Sequence, residues 1–506
     1  MKKNLLILAV VLLFIPSVFA LMQPGFFVSD DGEWMIIRFS AFFQSLRDGQ
    51  FPVRFLGRLN FGYGYPVSNF LYPGFLYLGV PIHILGFSFI NTIKIIFGFS
   101  LIGSGFFTYL WLRKNFDSFE SIVGSLFYVY TPYHLYDVYT RGSIGEVLGL
   151  AVIPFVFWSL EKKNISLSAL GIGILILSHN TLALLFLPIL LMYAILFLGK
   201  IKHTVIIFIL GLGFSSFFWI PAITEISLTR FSQTTISQYG EYFASTKLIG
   251  ISSMSILLFC ITHFFYTKKY EKKSYFFLIL GMLSVVFSLS ISNNLWKFIP
   301  VDIIQFPFRV LSLLIPSIAF LSAYTLSLFK KKQYIIGGVL IICLVFSAFE
   351  YIYPSEFSNK PDGIYATNQG STTVKNEYMS FLTRINPSAL PNEKVLFVTG
   401  SGYITNLVSK SNNITFSVKK ASHLSKIQIN TSYFSGWKAW GNGLELPIKI
   451  SPNSVGEMII VVPDGDSNIE FKFQENIFRL FADALTIISC IIIIIIFIRD
   501  NFNKNE

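Results

Sequence analysis

NTIKIIFGFSLIGSGFFTYLWL, residues 91–112, carries one charge, Lys94, and runs straight into the basic pair Arg113-Lys114. A helix needs ~20 mostly apolar residues to cross the hydrocarbon core of a bilayer, and basic pairs at the end of such a run mark cytoplasmic loops. Comparable runs lie at 5–20, 119–136, 145–160, 165–178, 182–198, 204–220, 249–266, 274–291, 310–328, 334–351 and 477–498. The reading is about twelve spans. Composition agrees: 53% of the 506 residues are hydrophobic and 13% charged, with a mean hydropathy of +0.62. Soluble domains are about a quarter charged, so a single soluble enzyme and a disordered chain are both excluded.

The net charge of +12 does not indicate a nucleic-acid binder, which would gather its basic residues on one patch. Here they sit between apolar runs, at Lys2-Lys3, Arg113-Lys114, Lys162-Lys163, Lys200, Lys202, Lys268-Lys269, Lys272-Lys273 and Lys330-Lys331-Lys332. With Lys2-Lys3 inside, strict alternation puts every cluster in the cytoplasm, and both termini with them. The stretch 70–85 would invert this order if it crossed. Pro73, Gly74, Gly79 and Pro81 make it a poor free helix, so it reads as re-entrant or surface-lying. The N-terminal run resembles a signal peptide with a passable cleavage site at Ser17-Val18-Phe19-Ala20, but cleavage would leave an odd number of spans, so an uncleaved helix is expected. Cys260, Cys343 and Cys490 all lie in apolar runs. Neither a disulfide framework nor a cysteine zinc site is available.

Two outer pieces remain. In the loop 21–90, Met35, Phe39, Phe42, Phe43 and Leu46 recur at helical spacing opposite Arg38, Gln44, Ser45 and Arg47. That pattern predicts an amphipathic interfacial helix beginning near Asp31. In the polar stretch 354–475, alternating runs such as Ile414, Phe416, Val418 and Ile469, Phe471, Phe473 are separated by turns such as Asn442-Gly443. They predict an antiparallel β-sandwich. The fold class is thus a mainly α-helical polytopic membrane protein with an extracytoplasmic β-domain before its last helix. The domains are 1–351, 352–475, and 476–506 with the final span and tail.

A charge at the bilayer centre costs at least ~2.5 kcal/mol, so the sidedness of the remaining ionisable residues is informative. Asp30, Asp31, Glu33, Arg38, Arg58, Asp137, Arg141, Glu146, His179, Glu225, Asp302, Arg309, Arg479 and Asp483 gather at the outer boundary. That is the place expected of an active site. Asp30-Asp31-Gly32-Glu33 is either a capping box, with Asp30 as N-cap and Glu33 three residues on, or a general base or metal-ligand pair. Asp137 and Arg141 have the i, i+4 spacing of a helix pair. Arg141 and Glu146 flank a span entry, and Gln305-Phe306-Pro307-Phe308-Arg309 puts a second arginine at another, each suited to an anion. His179-Asn180 occupies a tight turn, where His179 reads first as a cap. Arg479 and Asp483 read as an intrahelical pair.

Taken in order, these residues resemble a known group. The set comprises Asp30-Asp31 with the helix to Gly49-Gln50, Asn60-Phe61-Gly62-Tyr63-Gly64-Tyr65-Pro66, Tyr72-Pro73, Pro132-Tyr133-His134, Arg141-Gly142, Glu146, Leu177-Ser178-His179-Asn180, Trp219-Ile220-Pro221-Ala222, Glu225, Gln305 to Arg309, and Tyr433-Phe434-Ser435-Gly436-Trp437. It is similar to bacterial and archaeal GT-C-type membrane glycosyltransferases, specifically the polytopic group whose domain is called 6-pyruvoyl-tetrahydropterin synthase related. Nothing in the chain points to pterin chemistry. The resemblance implies a GT-C-like architecture, an outward-facing site, and a polyprenyl-phosphate-linked sugar as donor to a lipid, glycan or protein acceptor. Asp31 or Asp30 would be catalytic. Arg38, Asp137, Arg141, Glu146, His179, Asn180, Glu225, Gln305 and Arg309 would bind substrate. His commonly precedes the catalytic aspartate in this group, and here Asp30 takes its place, so the choice between the two stays open. A divalent metal on Asp30 and Asp31 is an option; no other cofactor is expected. The rival readings are a flippase for lipid-linked sugars and a scaffold for cell-envelope glycan assembly. A flippase would show midplane charges and two similar halves, neither of which the sequence has.

Overall fold

The computed structural model describes residues 8–231, 239–268, 271–298, 304–370, 376–452 and 454–502. Lys2, Lys3, Lys269 and Asp302 lie outside the described residues. Among the described residues, five helices are long and apolar enough to cross a membrane: Phe89–Leu112, Ile144–Glu161, Asn180–Leu198, Pro307–Ser327 and Ile477–Asp500. Two bent pairs raise the number to 7: Ile201–Phe214 with Ser216–Leu228, at 71°, and Lys272–Ser288 with Ser290–Trp296, at 81°. Gly74–Ile84, Ile165–Ser178, Ile251–Thr267 and Gln333–Ala348 are shorter apolar helices. The protein is therefore mostly helical, with a β-rich region before its last helix.

Local chemistry explains several of these boundaries. Ser88 accepts from the Asn91 N–H, and Asn164 from the Leu167 N–H at 2.8 Å, so each helix start is capped by a side chain. The expected run 119–136 is not one helix. Ser118–Tyr130 ends at Thr131, and Pro132, which lacks an N–H, opens a new helix, Pro132–Tyr139. The first run is broken in the same way: Pro16 sits at the start of the 3-10 helix Ile15–Met22. Gly74–Ile84 has 11 residues, a rise of ~16 Å, about half the hydrocarbon thickness.

The helix Gly32–Arg47 departs from expectation. Met35, Phe39 and Phe42 are buried as predicted, but so are Arg38, at 6% exposure, and Ser45, both assigned to the polar face. Ser45 donates its hydroxyl to the Phe55 carbonyl at 3.2 Å, and another flank of the helix meets a strap that follows the helix Gln333–Ala348. Strand β1 (Phe26–Phe27) pairs antiparallel with β2 (Phe357–Ser358), and the Ser40 hydroxyl donates to the Tyr365 carbonyl at 2.7 Å. Arg58 donates to the Ala366 carbonyl, and the Phe61 N–H to that of Gln369 at 2.7 Å. Asp362 accepts from the Phe89 and Ile90 N–H groups at the start of Phe89–Leu112. Gln44 and Arg47 of the same face stay exposed, so the helix is covered only in part on the side expected to meet water.

Nine strands follow: β3 (Val395–Thr399), β4 (Tyr403–Ser409), β5 (Asn413–Ala421), β6 (Lys426–Ser432), β7 (Trp437–Gly441), β8 (Leu444–Leu446), β9 (Lys449–Ile450), β10 (Glu457–Val461) and β11 (Gly465–Phe473). They form two antiparallel sheets, ordered β3-β6-β10-β9 and β4-β5-β11-β7-β8. Inward residues of both, such as Ile429 and Phe471, share one apolar cluster with Phe55 and Phe70 of the first loop. Asp48 accepts from the Ser411 N–H and hydroxyl at 2.8 and 2.6 Å, and the Ser432 N–H donates to the Tyr63 carbonyl at 2.7 Å. The two pieces read as outer thus lie against each other.

Arg479 and Asp483 do not pair with one another. Arg479, fully buried, donates to Glu225 at 2.7 Å and to the Ser435 carbonyl at 2.9 Å, between the rings of Phe434 and Phe473. Asp483 accepts from Arg54 at 3.1 Å, and Arg54 also meets Glu475 at 3.3 Å. These contacts fasten the last helix to the first loop and to Glu225. Removing one partner of a buried pair costs ~3–5 kcal/mol because it strands the other charge. Arg479→Ala should therefore lower the thermal unfolding midpoint of the detergent-solubilised protein and speed proteolysis of the last helix. An unchanged midpoint and digestion rate would show that this clamp holds nothing.

Candidate functional site

The site begins with main-chain geometry. The Asp30 N–H donates to the Thr140 carbonyl at 3.0 Å, and the Asp31 N–H to that of Arg141 at 2.8 Å. The approach is close enough to demand glycine at 142: φ is +65°, and a Cβ there would lie 2.4 Å from the Ser29 hydroxyl and 2.7 Å from the Gly32 nitrogen. Gly145 is required for the same reason, since a Cβ would fall 2.1 Å from the Tyr72 ring. The capping-box reading fails. Asp31 is the N-cap and makes no side-chain cap bond, while Glu33 turns away to Lys360 at 2.8 Å and Tyr365 at 2.6 Å.

Beside this latch sits a buried charged cluster centred on Glu146, fully enclosed in the first turn of Ile144–Glu161. Arg141 Nη1 lies 2.8 Å from Glu146 Oε2 and 2.6 Å from Asp137 Oδ1, the predicted i, i+4 pair. Arg309 Nε donates to Glu146 Oε1, and its Nη1 donates to the Gln305 amide oxygen at 3.0 Å. Tyr133 donates to Glu146 at 3.1 Å, and His179 Nε2 stands 3.7 Å from its other oxygen. Arg141 also lies over Phe306 and Phe308, and Arg309 over Phe306. His179 caps Asn180–Leu198, its Nδ1 accepting from the Leu182 N–H at 3.3 Å, and packs 4.6 Å from the Tyr72 ring.

Burial first, then the charge of Asp31, raises the pKa of the Asp30 carboxyl above its ordinary value, with Arg141 opposing. Burial works against the charge on Arg141, and the carboxylates of Glu146 and Asp137 more than restore it. Tyr72 links latch and cluster: burial and then the Asp31 charge raise its phenol, with Arg38, Glu146 and Arg309 also in reach.

Tyr72, His179, Asn180 and Gln305 form the polar end of a cavity of about 630 Å³. Its remaining wall is apolar, including Leu187, Phe218 and Trp219. At Leu184 and Ile223, 55% and 66% exposed, it opens onto the apolar outer surface of the helices. Asn180 is fixed at this rim by donating to the Phe70 carbonyl at 3.1 Å, and Gln305 by a left-handed backbone, φ +67°.

Two assigned residues stand differently. Glu225 is not in the Glu146 cluster. Its carboxylate is taken up by Asn69 at 2.7 Å, Asn476 at 2.5 Å and Arg479 at 2.7 Å, which makes it a structural clamp. Arg38 is buried, with Nη1 3.8 Å from the Met35 sulfur. The residue that sequence reasoning missed is Glu377. Burial pushes its carboxyl up to about 7, with Arg38 lowering and Asp31 raising it. Its neighbour Tyr378 stacks between Phe70 and Phe231 at 5.3 and 5.9 Å and lines the cavity. Neither periodicity nor spacing marks this stretch. Among the described residues no three His, Cys, Asp or Glu side chains group as a metal site.

Among solved structures the chain is similar to the arabinofuranosyltransferase AftD from Mycobacteria, with 13% identity, a TM-score of 0.48, and coverage of 70% of this chain. It is also similar to the oligosaccharyltransferase of Archaeoglobus fulgidus, with 10% identity, a TM-score of 0.37, and coverage of 72% of this chain and 53% of that one. The chain spans 28% of the length of AftD. These likenesses are too distant to assign an activity. No curated protein matches the chain. The model of the 6-pyruvoyl-tetrahydropterin synthase related domain, a membrane protein, matches residues 71–356, more than half of the sequence and all of the Glu146 cluster. The chain belongs to the 6-pyruvoyl-tetrahydropterin synthase related family of membrane proteins.

Proposed function

We propose that the protein is a GT-C-type membrane glycosyltransferase that moves a sugar from a polyprenyl phosphate to a hydroxyl of a lipid, glycan or protein acceptor on the outer face. The observation that carries the reading is the Asp30–Asp31 latch, bound main chain to main chain to Thr140–Arg141, beside the polar end of an apolar cavity open to the lipid-facing surface. A polyprenyl chain is long, apolar and charged only at its phosphate, which is the polarity of that cavity. The donor enters sideways, its chain along Leu184 and Trp219.

In the reaction the acceptor O–H loses its proton to Asp31 or Asp30 as the acceptor oxygen bonds the anomeric carbon. The bond from that carbon to the phosphate oxygen breaks, and polyprenyl phosphate leaves with its electron pair. Negative charge grows on the leaving group, and buried cations aimed at it stabilise the transition state more than they would in water. Arg38 and Arg141 serve this end. Arg309, held by Glu146 as Arg141 is, serves it with them, and His179 and Asn180 meet sugar hydroxyls. The basic clusters support the topology with both termini in the cytoplasm, and the shorter apolar helices Ile165–Ser178, Ile251–Thr267 and Gln333–Ala348 supply further spans. The boundaries near 351 and 475 follow the same reading.

Sugar transfer by proteoliposomes given radiolabelled polyprenyl-phosphate mannose, glucose or arabinose tests the assignment. A general base contributes ~10²–10⁴-fold, so the double variant Asp30→Asn, Asp31→Asn should lose transfer by that factor while staying folded in the membrane. Undiminished transfer would overturn the assignment. Glu377 gives a pH signature. Its carboxyl titrates at about 7 when folded, against an ordinary 4.5, so between these values the folded protein holds a proton that the unfolded chain has released. Stability therefore falls as pH rises through that window. Unfolding midpoints should drop across it in the wild type more than in Glu377→Gln; parallel curves would place Glu377 in water.

A further inference from the structure

On the solvent side of the five-stranded sheet lies an open groove of about 710 Å³ that the transfer site does not touch. Along β11, Ile469, Phe471 and Phe473 point into the core, so Asn468, Glu470 and Lys472 point outward. Register sets what flanks them. Glu470 pairs with Trp440 of β7 on one side and Thr415 of β5 on the other, and Asn468 pairs with Ser417. The Ser417 hydroxyl donates to the Asn468 amide oxygen at 2.8 Å, and Asn413 Nδ2 to Glu470 at 3.2 Å. The result is one large aromatic ring beside a row of amide, hydroxyl and carboxylate groups held in place by their neighbours. Trp440, Thr415, Ser417, Asn468 and Glu470 line the groove.

We propose that this groove binds a neutral glycan chain, with Trp440 as the platform for a sugar ring and Asn468, Glu470, Ser417 and Thr415 as partners for its hydroxyls. A pyranose presents an apolar C–H face and a rim of hydroxyls that both donate and accept. An aromatic face covers the first, and amides and carboxylates answer the second. Three strands span ~10 Å and the stretch 468–472 runs ~13 Å, enough for a short run of sugar units. One acid and one base among the lining residues leave the groove without the single-sign field that a charged polymer needs. A peptide adding as a strand is excluded, because β5, β11 and β7 lie inside the order β4-β5-β11-β7-β8 with both edges already paired. The proposal stands on the chemistry of this face and not on the transfer reading.

Binding to the full-length protein in lipid nanodiscs, read by saturation-transfer NMR and calorimetry, tests it with cellohexaose, mannohexaose and arabinohexaose as probes. At least one hexasaccharide should bind, and bind better than its monomer. Trp440→Ala should weaken that binding by about tenfold or more, whereas Trp440→Phe, which keeps a ring, should stay within about threefold of wild type. Asn468→Ala, at an exposed strand position, should weaken it by about threefold or more with an unchanged unfolding midpoint, which keeps the test valid if Trp440→Ala does not fold. No binding of any hexasaccharide, or wild-type affinity in both Trp440→Ala and Asn468→Ala, would overturn the proposal. So would a change of oligomeric state in Trp440→Ala without glycan binding, which would make the groove a contact between copies.

Discussion

The Glu146 carboxylate has no access to water, and a buried ion is tolerated only when paired and hydrogen-bonded. That requirement organises the helical core around it. Arg141 comes from the loop after Pro132–Tyr139, Arg309 from the 3-10 helix Pro307–Leu313, Tyr133 from the short helix and His179 from the turn before Asn180–Leu198. Three separate stretches of chain, one carrying Tyr133 and Arg141, one His179 and one Arg309, meet at one carboxylate. Because Arg141 is anchored there, its main chain is in place to receive the Asp31 N–H, and the position of the candidate base follows from the position of the buried acid.

The arginines consequently differ from simple phosphate clamps. A guanidinium already paired to Glu146 and Asp137 has much of its charge offset, which limits how tightly it holds a resting phosphate. It also keeps its orientation without reorganising when charge develops, the property that makes a preorganised site effective. The apolar cavity next to the cluster supplies the low dielectric in which such charges count most. The strap at 357–370 packs against the first loop, and further along the chain Tyr378 stands at the cavity wall.

What was legible in the sequence is what depends on near neighbours. The Asp137–Arg141 pair, the burial of Phe39 and Phe42 and the alternation of β5 and β11 follow from periods of 3.6 or 2, the His179 cap from its place in a turn, and all are present. The failures share the opposite cause. Arg479 has a helical neighbour at Asp483, yet it bonds Glu225, more than two hundred positions away. Arg38 occupies the polar side of its helix wheel and is buried because a distant segment folds over it. Glu377 stands in a polar stretch with no pattern, and only packing brings it toward Arg38 and Asp31. Pro132 was visible as a residue, but whether it kinked or ended a span depended on the packing around it.

The most direct measurement of the central claim is a cryo-electron microscopy map of the full-length protein in nanodiscs with a polyprenyl-phosphonate sugar, whose carbon–phosphorus bond resists transfer. The prenyl chain should lie in the cavity along Leu184 and Trp219, with the sugar's anomeric carbon facing Asp30 and Asp31 and the phosphonate near Arg38 and Arg141. A lipid seated elsewhere on the helices, or a phosphonate remote from both aspartates, would contradict a transfer site built on the Glu146 cluster.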